Sequence, residues 1–155
     1  MEIKTNELDY NIFKRQEEKS GKNIIKRGVE TIDFMIDGNS LLKKLTENDR
    51  NNDFMGCFSK GWNKLNEKSK NQLLVKTKPE TENGRVLIYV CPECGDISCG
   101  ALCCKIKKEN GLYIWNDFAY ENDYEEAIIN KNIGTFYFKE KNYEETIIKL
   151  FSIME

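Results

Sequence analysis

The chain has 155 residues, of which 39% are hydrophobic and 32% charged. That is one domain's length, residues 1–155, with enough apolar material for a core and too much for a disordered chain. The formal charge of −2, from 24 basic and 26 acidic side chains, argues against electrostatic coating of nucleic acid, and the absence of histidine removes His-based triads, general bases and metal ligands.

No apolar run approaches the roughly 20 residues that span a bilayer. The opening stretch MEIKTNELDY shows no basic n-region followed by an apolar h-region, so a cytoplasmic chain without membrane attachment is expected. In that compartment six cysteines read as free thiols or a metal site rather than as a disulfide framework. Lysine outnumbers arginine 20 to 4, with 17 Asn and 16 Ile, and these AT-rich codons point to a low-GC gene.

In chain order, Leu8, Tyr10 and Ile12 alternate with polar residues and predict a strand. Glu17–Asn23 reads as a polar turn around Gly21. Val29, Ile32, Phe34 and Ile36 predict a second strand ending at Asp37-Gly38, and Asn39 or Ser40 then caps a short helix carrying Leu41, Leu42 and Leu45. Glu47–Asn71 reads as a loop followed by a short helix, with Leu73–Lys76 either an edge strand or the end of that helix. Pro79–Gly84 is turn chemistry.

From Arg85 onward the pattern sharpens. Val86–Val90 is apolar on both faces, as in a strand covered on both sides. Asn110-Gly111 marks a hairpin, because a type I′ turn needs positive φ at both central residues. Three antiparallel strands are therefore expected at Val86–Cys91, Ala101–Lys107 and Leu112–Phe118, with a fourth at Ile133–Phe138. Tyr143, Ile147, Leu150, Phe151 and Met154 fall at helical spacing, opposite Glu140, Lys141, Glu144, Glu145 and Lys149. The expected class is α+β: an antiparallel sheet with helices packed against it, including a C-terminal helix seated through Ile147 and Phe151.

The segment Cys91-Pro-Glu-Cys94-Gly-Asp-Ile-Ser-Cys99 runs on to Cys103 and Cys104. A C-P-x-C-G turn is the shape of half a zinc knuckle, and zinc then needs further ligands at about 2.3 Å. Along an extended strand Cys99 and Cys103 lie roughly 13 Å apart, too far to share an ion. Cys103 and Cys104 also point to opposite faces. Any zinc is therefore expected on Cys91, Cys94 and Cys99, and a four-cysteine set would need a distant residue such as Cys57 or a turn that delays the strand until after Cys103. Two other readings stay open. One is a redox pair, although that chemistry favours a helix N-terminus after a strand. The other is a tight hairpin filled by small, mostly buried thiols.

The strings YVCPECGDISCGA, LYIWNDFAYEN and IGTFYFKEKNY together resemble a family of small bacterial proteins carrying CPECGD-x-x-CGA, W-x-DF-x-YE and IG-x-F-x-F. The likeness covers about Arg85 to Leu150, with a weaker echo at Ile36–Leu42. It implies a shared fold and carries no activity with it. Positions matching Cys103 and Cys104 are not usually cysteine in that pattern, which weighs against a metal site built on them.

Trp115–Glu126 holds five acidic residues and four aromatics in twelve positions, a density that suits either a solvated loop or a binding surface. The acidic residues lack the spacing of a calcium loop. With no histidine, no phosphate-binding glycine loop and no nucleophile elbow, an enzyme is not expected.

By elimination the sequence reads as a protein-binding module. Among these it reads as an immunity protein neutralising a toxin encoded beside it, of the kind found in contact-dependent and polymorphic toxin systems. Small size, slight acidity and a low-GC gene fit that reading. The expected partner-binding residues are Asp117, Tyr120, Glu121, Asp123, Tyr124, Glu125 and Glu126, and the expected partner is a basic nuclease domain, with no direct contact to nucleic acid. The alternative is a small zinc-stabilised domain built on the Cys91/Cys94 turn.

Overall fold

A computed structural model describes residues 3–47 and 53–155. The alternation at the N-terminus forms strand β1 (Leu8–Arg15). The stretch expected as a simple polar turn instead forms a small exposed hairpin, β2 (Glu18–Ser20) with β3 (Asn23–Lys26). Strand β4 (Val29–Ile36) returns antiparallel to β1, with Leu8 opposite Ile36 and Ile12 opposite Ile32. The register puts Ile32, Phe34 and Ile36 on the buried side. Asp37-Gly38 turns the chain into the two-residue β5 (Asn39–Ser40), and α1 (Leu41–Leu45) follows. The cap is Ser40, whose hydroxyl accepts from the Lys43 N–H at 3.0 Å.

The expected loop of the middle third holds a short strand among its described residues. Residues 48–52 lie outside the described part. Met55–Gly56 then form β6, and α2 runs Asn63–Leu73. Leu73 closes that helix and no strand follows it, which decides between the two readings of Leu73–Lys76. Strand β6 went unread because a glycine carries half of it. A Cβ at Gly56 would lie 2.2 Å from the Ile32 carbonyl oxygen, so only glycine lets β6 approach β4 this closely.

The second sheet is ordered β10-β9-β8-β7-β6, with β11 also paired to β9. Its strands are β7 (Val86–Val90), β8 (Ala101–Glu109), β9 (Leu112–Glu121), β10 (Ile128–Ile129) and β11 (Phe136–Lys139). All its named pairings are antiparallel. Asn110 and Gly111 have φ of 52° and 76°, the two positive values the β8–β9 hairpin requires. Ile133 precedes the last strand, which is shorter than expected, and α3 (Glu140–Ile153) completes the chain. The architecture is α+β, antiparallel sheets with helices against them.

Strand β9 runs past Phe118 because of a bulge. Cys103 faces Ala119 and Lys105 faces Asn116, so Asp117 and Phe118 together oppose Cys104. Asp117 takes φ of 55° to do so. The extra residue changes which positions face the main core, from Tyr113 and Trp115 before it to Phe118 and Tyr120 after it. Asp117 and Glu121 are thereby turned toward Arg85.

The sheet is covered on both sides. The larger core holds Ile88, Tyr89, Cys104, Trp115 and Phe118 with Ile147 and Leu150 of α3. The smaller holds Val29, Met55, Leu87, Val90, Ala101 and Cys103 beneath Trp62, Leu65 and Ile97. Helix α3 is seated through Ile147 as expected, while Phe151 is only partly buried and lies under the Lys70 ammonium at 4.1 Å. Tyr89 ties the sheets together: its hydroxyl donates to Asp33 at 2.6 Å and accepts from the Phe34 N–H.

Candidate functional site: a cysteine turn and an acidic, aromatic loop

Strand β7 delivers Cys91 to the start of a turn, where the Gly95 N–H donates to the Cys91 carbonyl at 2.8 Å. Trp62 lies against Gly95. Asp96 then caps a 3-10 turn at Ile97–Cys99, its carboxylate accepting from the Ser98 N–H at 2.9 Å. Gly100, at φ 94°, passes the chain into β8. This folding brings the sulfurs of Cys91, Cys94 and Cys99 within 4.8 Å of one another. Such an arrangement can hold a metal ion. Cys94 and Cys99 are themselves joined as a disulfide, with Cα atoms 6.3 Å apart, and Cys91 is free. The expectation of free thiols or a metal site in place of disulfides is corrected for this pair. The disulfide partner of Cys94 is Cys99, not the Cys91 of the C-x-x-C spacing.

The remaining cysteines are elsewhere. Cys57 and Cys104 lie in the larger core and Cys103 in the smaller. Cys57 is therefore not a fourth ligand. Burial pushes its thiol up to about 12, and pushes Cys103 and Cys104 upward too. Opposite orientations for Cys103 and Cys104 follow from the strand alternation, as expected.

Glu93, inside the turn, is tied to the base of the β2–β3 hairpin. It pairs with Arg15 at 3.1 Å and accepts from the Arg27 N–H. The Arg27 guanidinium lies 5.7 Å over the Trp62 ring. Two cations thus border the cysteine turn.

The acidic segment divides into two kinds of residue. Glu121 is buried and Asp117 half-buried, and both are paired within the chain. Arg85 donates to the Asp117 carbonyl at 2.8 Å, and pairs with the Asp117 carboxylate at 2.9 Å and the Glu121 carboxylate at 3.2 Å. Asn83 adds a hydrogen bond to Glu121. Burial opposes ionisation of Asp117, but hydrogen bonds and charge from Arg85 and Lys105 outweigh it and hold the carboxyl below its usual range. Tyr120 is half-buried against the larger core, its hydroxyl beside Gly100.

Asp123, Tyr124, Glu125 and Glu126 are exposed. The Asn122 side chain organises their loop by accepting from the N–H groups of Tyr124 and Glu125. Among the described residues, Asp123, Glu125 and Glu126 enter no ion pair. With Glu80 and Glu82 of the preceding turn they line a cleft of about 540 Å³, to which Ile97 adds an apolar wall.

Three contributors were not legible in the sequence. Ile128 and Ile129 belong to edge strand β10 and stand 60% and 43% exposed, and Tyr124 of the preceding loop stands 70% exposed. The two isoleucines line a second groove of about 380 Å³ with Leu102, Ala119 and Tyr120, bordered by Lys44 and Lys131. An Ala-Ile-Ile run closing the acidic segment was the available signal, but it reads equally as core. Glu82 is some forty residues from the acidic segment, so nothing in its neighbourhood marked it. Comparison with protein-family models, curated proteins and solved structures finds no match to this chain.

Proposed function

We propose that the chain is a protein-binding module whose docking face is the loop 122–127 with strand β10. One observation carries this: Tyr124, Ile128 and Ile129 stand exposed within a few residues of Asp123, Glu125 and Glu126, which enter no ion pair among the described residues. Apolar anchors rimmed by charge are the anatomy of a recognition patch. The charge selects a basic partner. A toxin nuclease domain has such a surface, because its cleft must hold nucleic acid. The chain then acts as an immunity protein, its carboxylates taking the place of phosphates and closing the cleft.

The test uses the full chain and the protein encoded beside its own gene. Replacing Asp123, Glu125 and Glu126 together by Asn or Gln removes charge at constant size. It should slow association and flatten its salt dependence, leaving dissociation nearly unchanged. Tyr124→Ala should speed dissociation by roughly thirtyfold, the equivalent of about 2 kcal/mol for an anchor residue. Unchanged kinetics in both variants would reject this face, and no binding to any neighbouring gene product would reject the immunity reading.

A second reading is favoured by the sulfur geometry. The three-cysteine turn is a zinc site that stabilises the β7–β8 connection, and it is compatible with the binding role. Zinc uptake by the reduced chain, with a rise in melting temperature, tests it.

A further inference from the structure

We infer that Cys91, Cys94 and Cys99 form a two-state site: reduced, their sulfurs hold a zinc ion whose fourth position is open to an outside ligand; oxidised, Cys94 and Cys99 close into a disulfide and the ion leaves. This rests on the zinc reading of the turn and adds its regulation.

Both states fit one backbone. Tetrahedral zinc with sulfur ligands at about 2.3 Å needs sulfurs roughly 3.8 Å apart. The Cys91 sulfur already lies within 4.8 Å of both sulfurs of the Cys94–Cys99 link, so once that link is reduced Cys94 and Cys99 need only part to this spacing to receive an ion beside Cys91. Cys94 and Cys99 are equally placed for each other, their Cα separation of 6.3 Å being ordinary for a disulfide. The same two sulfurs thus serve either bond, and they cannot serve both.

The fourth position is open by inventory. The chain has no histidine. Among the described residues no carboxylate and no further cysteine joins the three sulfurs. Water or a donor from another molecule must complete the ion's shell, as in zinc sites that keep an exchangeable position. Arg27 lies at the edge of the turn, its guanidinium 5.7 Å over the Trp62 ring, while Arg15 is paired with Asp53 and with Glu93 of the turn.

Access is graded in the direction the switch needs. Cys99 is exposed and Cys91 and Cys94 are half-buried, whereas Cys57, Cys103 and Cys104 are buried in the two cores. A small disulfide oxidant therefore meets Cys99 first. The Cys99 thiolate attacks one oxidant sulfur and expels one thiolate. The Cys94 thiolate then attacks the Cys99 sulfur and expels the second. Two electrons pass from the protein's two sulfurs to the oxidant, which ends as two thiolates. Zinc departs as the unchanged dication, and Cys91 is left as a thiol after taking a proton from water.

The test takes the full chain, reduced and stripped of metal, and titrates it with zinc alone. The expected result is one ion per chain, with Cys91, Cys94 and Cys99 shielded from alkylation. Glutathione disulfide should then release the zinc in step with formation of the Cys94–Cys99 link, located by peptide mapping. Cys91→Ser should lose zinc uptake yet still form that link, and Cys99→Ser should lose both. The alkylation pattern of the unmutated chain stands whether or not the variants fold. No zinc uptake by the reduced chain overturns the zinc reading and the switch together. Zinc retained after the link has formed, or failure of glutathione disulfide to link Cys94 with Cys99, overturns the switch alone.

Discussion

Arg85 is 5% exposed, and two carboxylates and a carbonyl surround its guanidinium. A buried cation is tolerated only with such partners, and its removal leaves the buried Glu121 with the Asn83 amide and no cation, while Asp117 keeps Lys105. Arg85→Met should therefore cost about 3–5 kcal/mol in urea denaturation. Arg85→Lys should recover only part of this, since an ammonium cannot make the forked contacts. A wild-type midpoint for Arg85→Met would show that the cluster contributes nothing. Tyr143 presents a similar case: its hydroxyl accepts from the Trp115 indole N–H at 3.1 Å and donates to the Leu73 carbonyl at 2.7 Å. It joins β9, α3 and α2 through one atom. Tyr143→Phe should cost about 1–3 kcal/mol, because both partners are left buried and unsatisfied. Equilibrium unfolding with an unchanged m-value would measure it.

Between β7 and β8, the element-scale constraint is the crossing of the cysteine turn over β9. Gly100 has φ of 94°, and a Cβ there would sit 2.3 Å from the Tyr120 hydroxyl oxygen. Gly100→Ala meets two penalties, an unfavourable backbone region worth about 1–2 kcal/mol and a collision that displaces Tyr120. Its melting temperature should fall. Gly134→Ala, with no heavy atom within 4 Å of the added carbon, should melt close to wild type. Equal melting of the two variants would show that Tyr120 yields freely. Legibility at this scale followed the range of the interaction. Asn110-Gly111 and the periodic face of α3 act between near neighbours, and both were readable. The bulge at Asp117 comes with contacts to Arg85, 32 residues earlier in the chain, which alternation alone does not reveal.

For the whole molecule, the carboxyls held below their usual range set the acid limit of stability. Asp37 accepts from the Glu7 N–H and the Asn6 side chain, and these bonds lower its pKa; in Asp117, Arg85 and Lys105 overcome the cost of burial. In the unfolded chain both would titrate near the ordinary value of about 3.9. Below that value the unfolded chain binds more protons, so stability rises with pH there. Their contribution is present above pH 4 and is lost as pH falls through the depressed folded values. Asp37→Asn with Asp117→Asn should flatten this acid limb in denaturation curves between pH 2 and 4. With no histidine in the chain, no side chain with an ordinary pKa near 6–7 adds a second limb.

The α+β class, the β7–β8–β9 order, the short helix after Asn39-Ser40 and the apolar face of α3 were all readable from the sequence. Each rests on periodicity or turn chemistry acting within a few residues. Only the tertiary structure decided which charges are free and which sulfurs meet. Asp117 and Glu121 looked like Asp123, Glu125 and Glu126 in sequence, and were separated by a partner brought in from another strand. The edge position of Ile128 and Ile129, and the separation of Cys57 from the cysteine turn, were settled in the same way. Burial and pairing are properties of the neighbours a residue acquires on folding, and those neighbours are mostly distant in the chain.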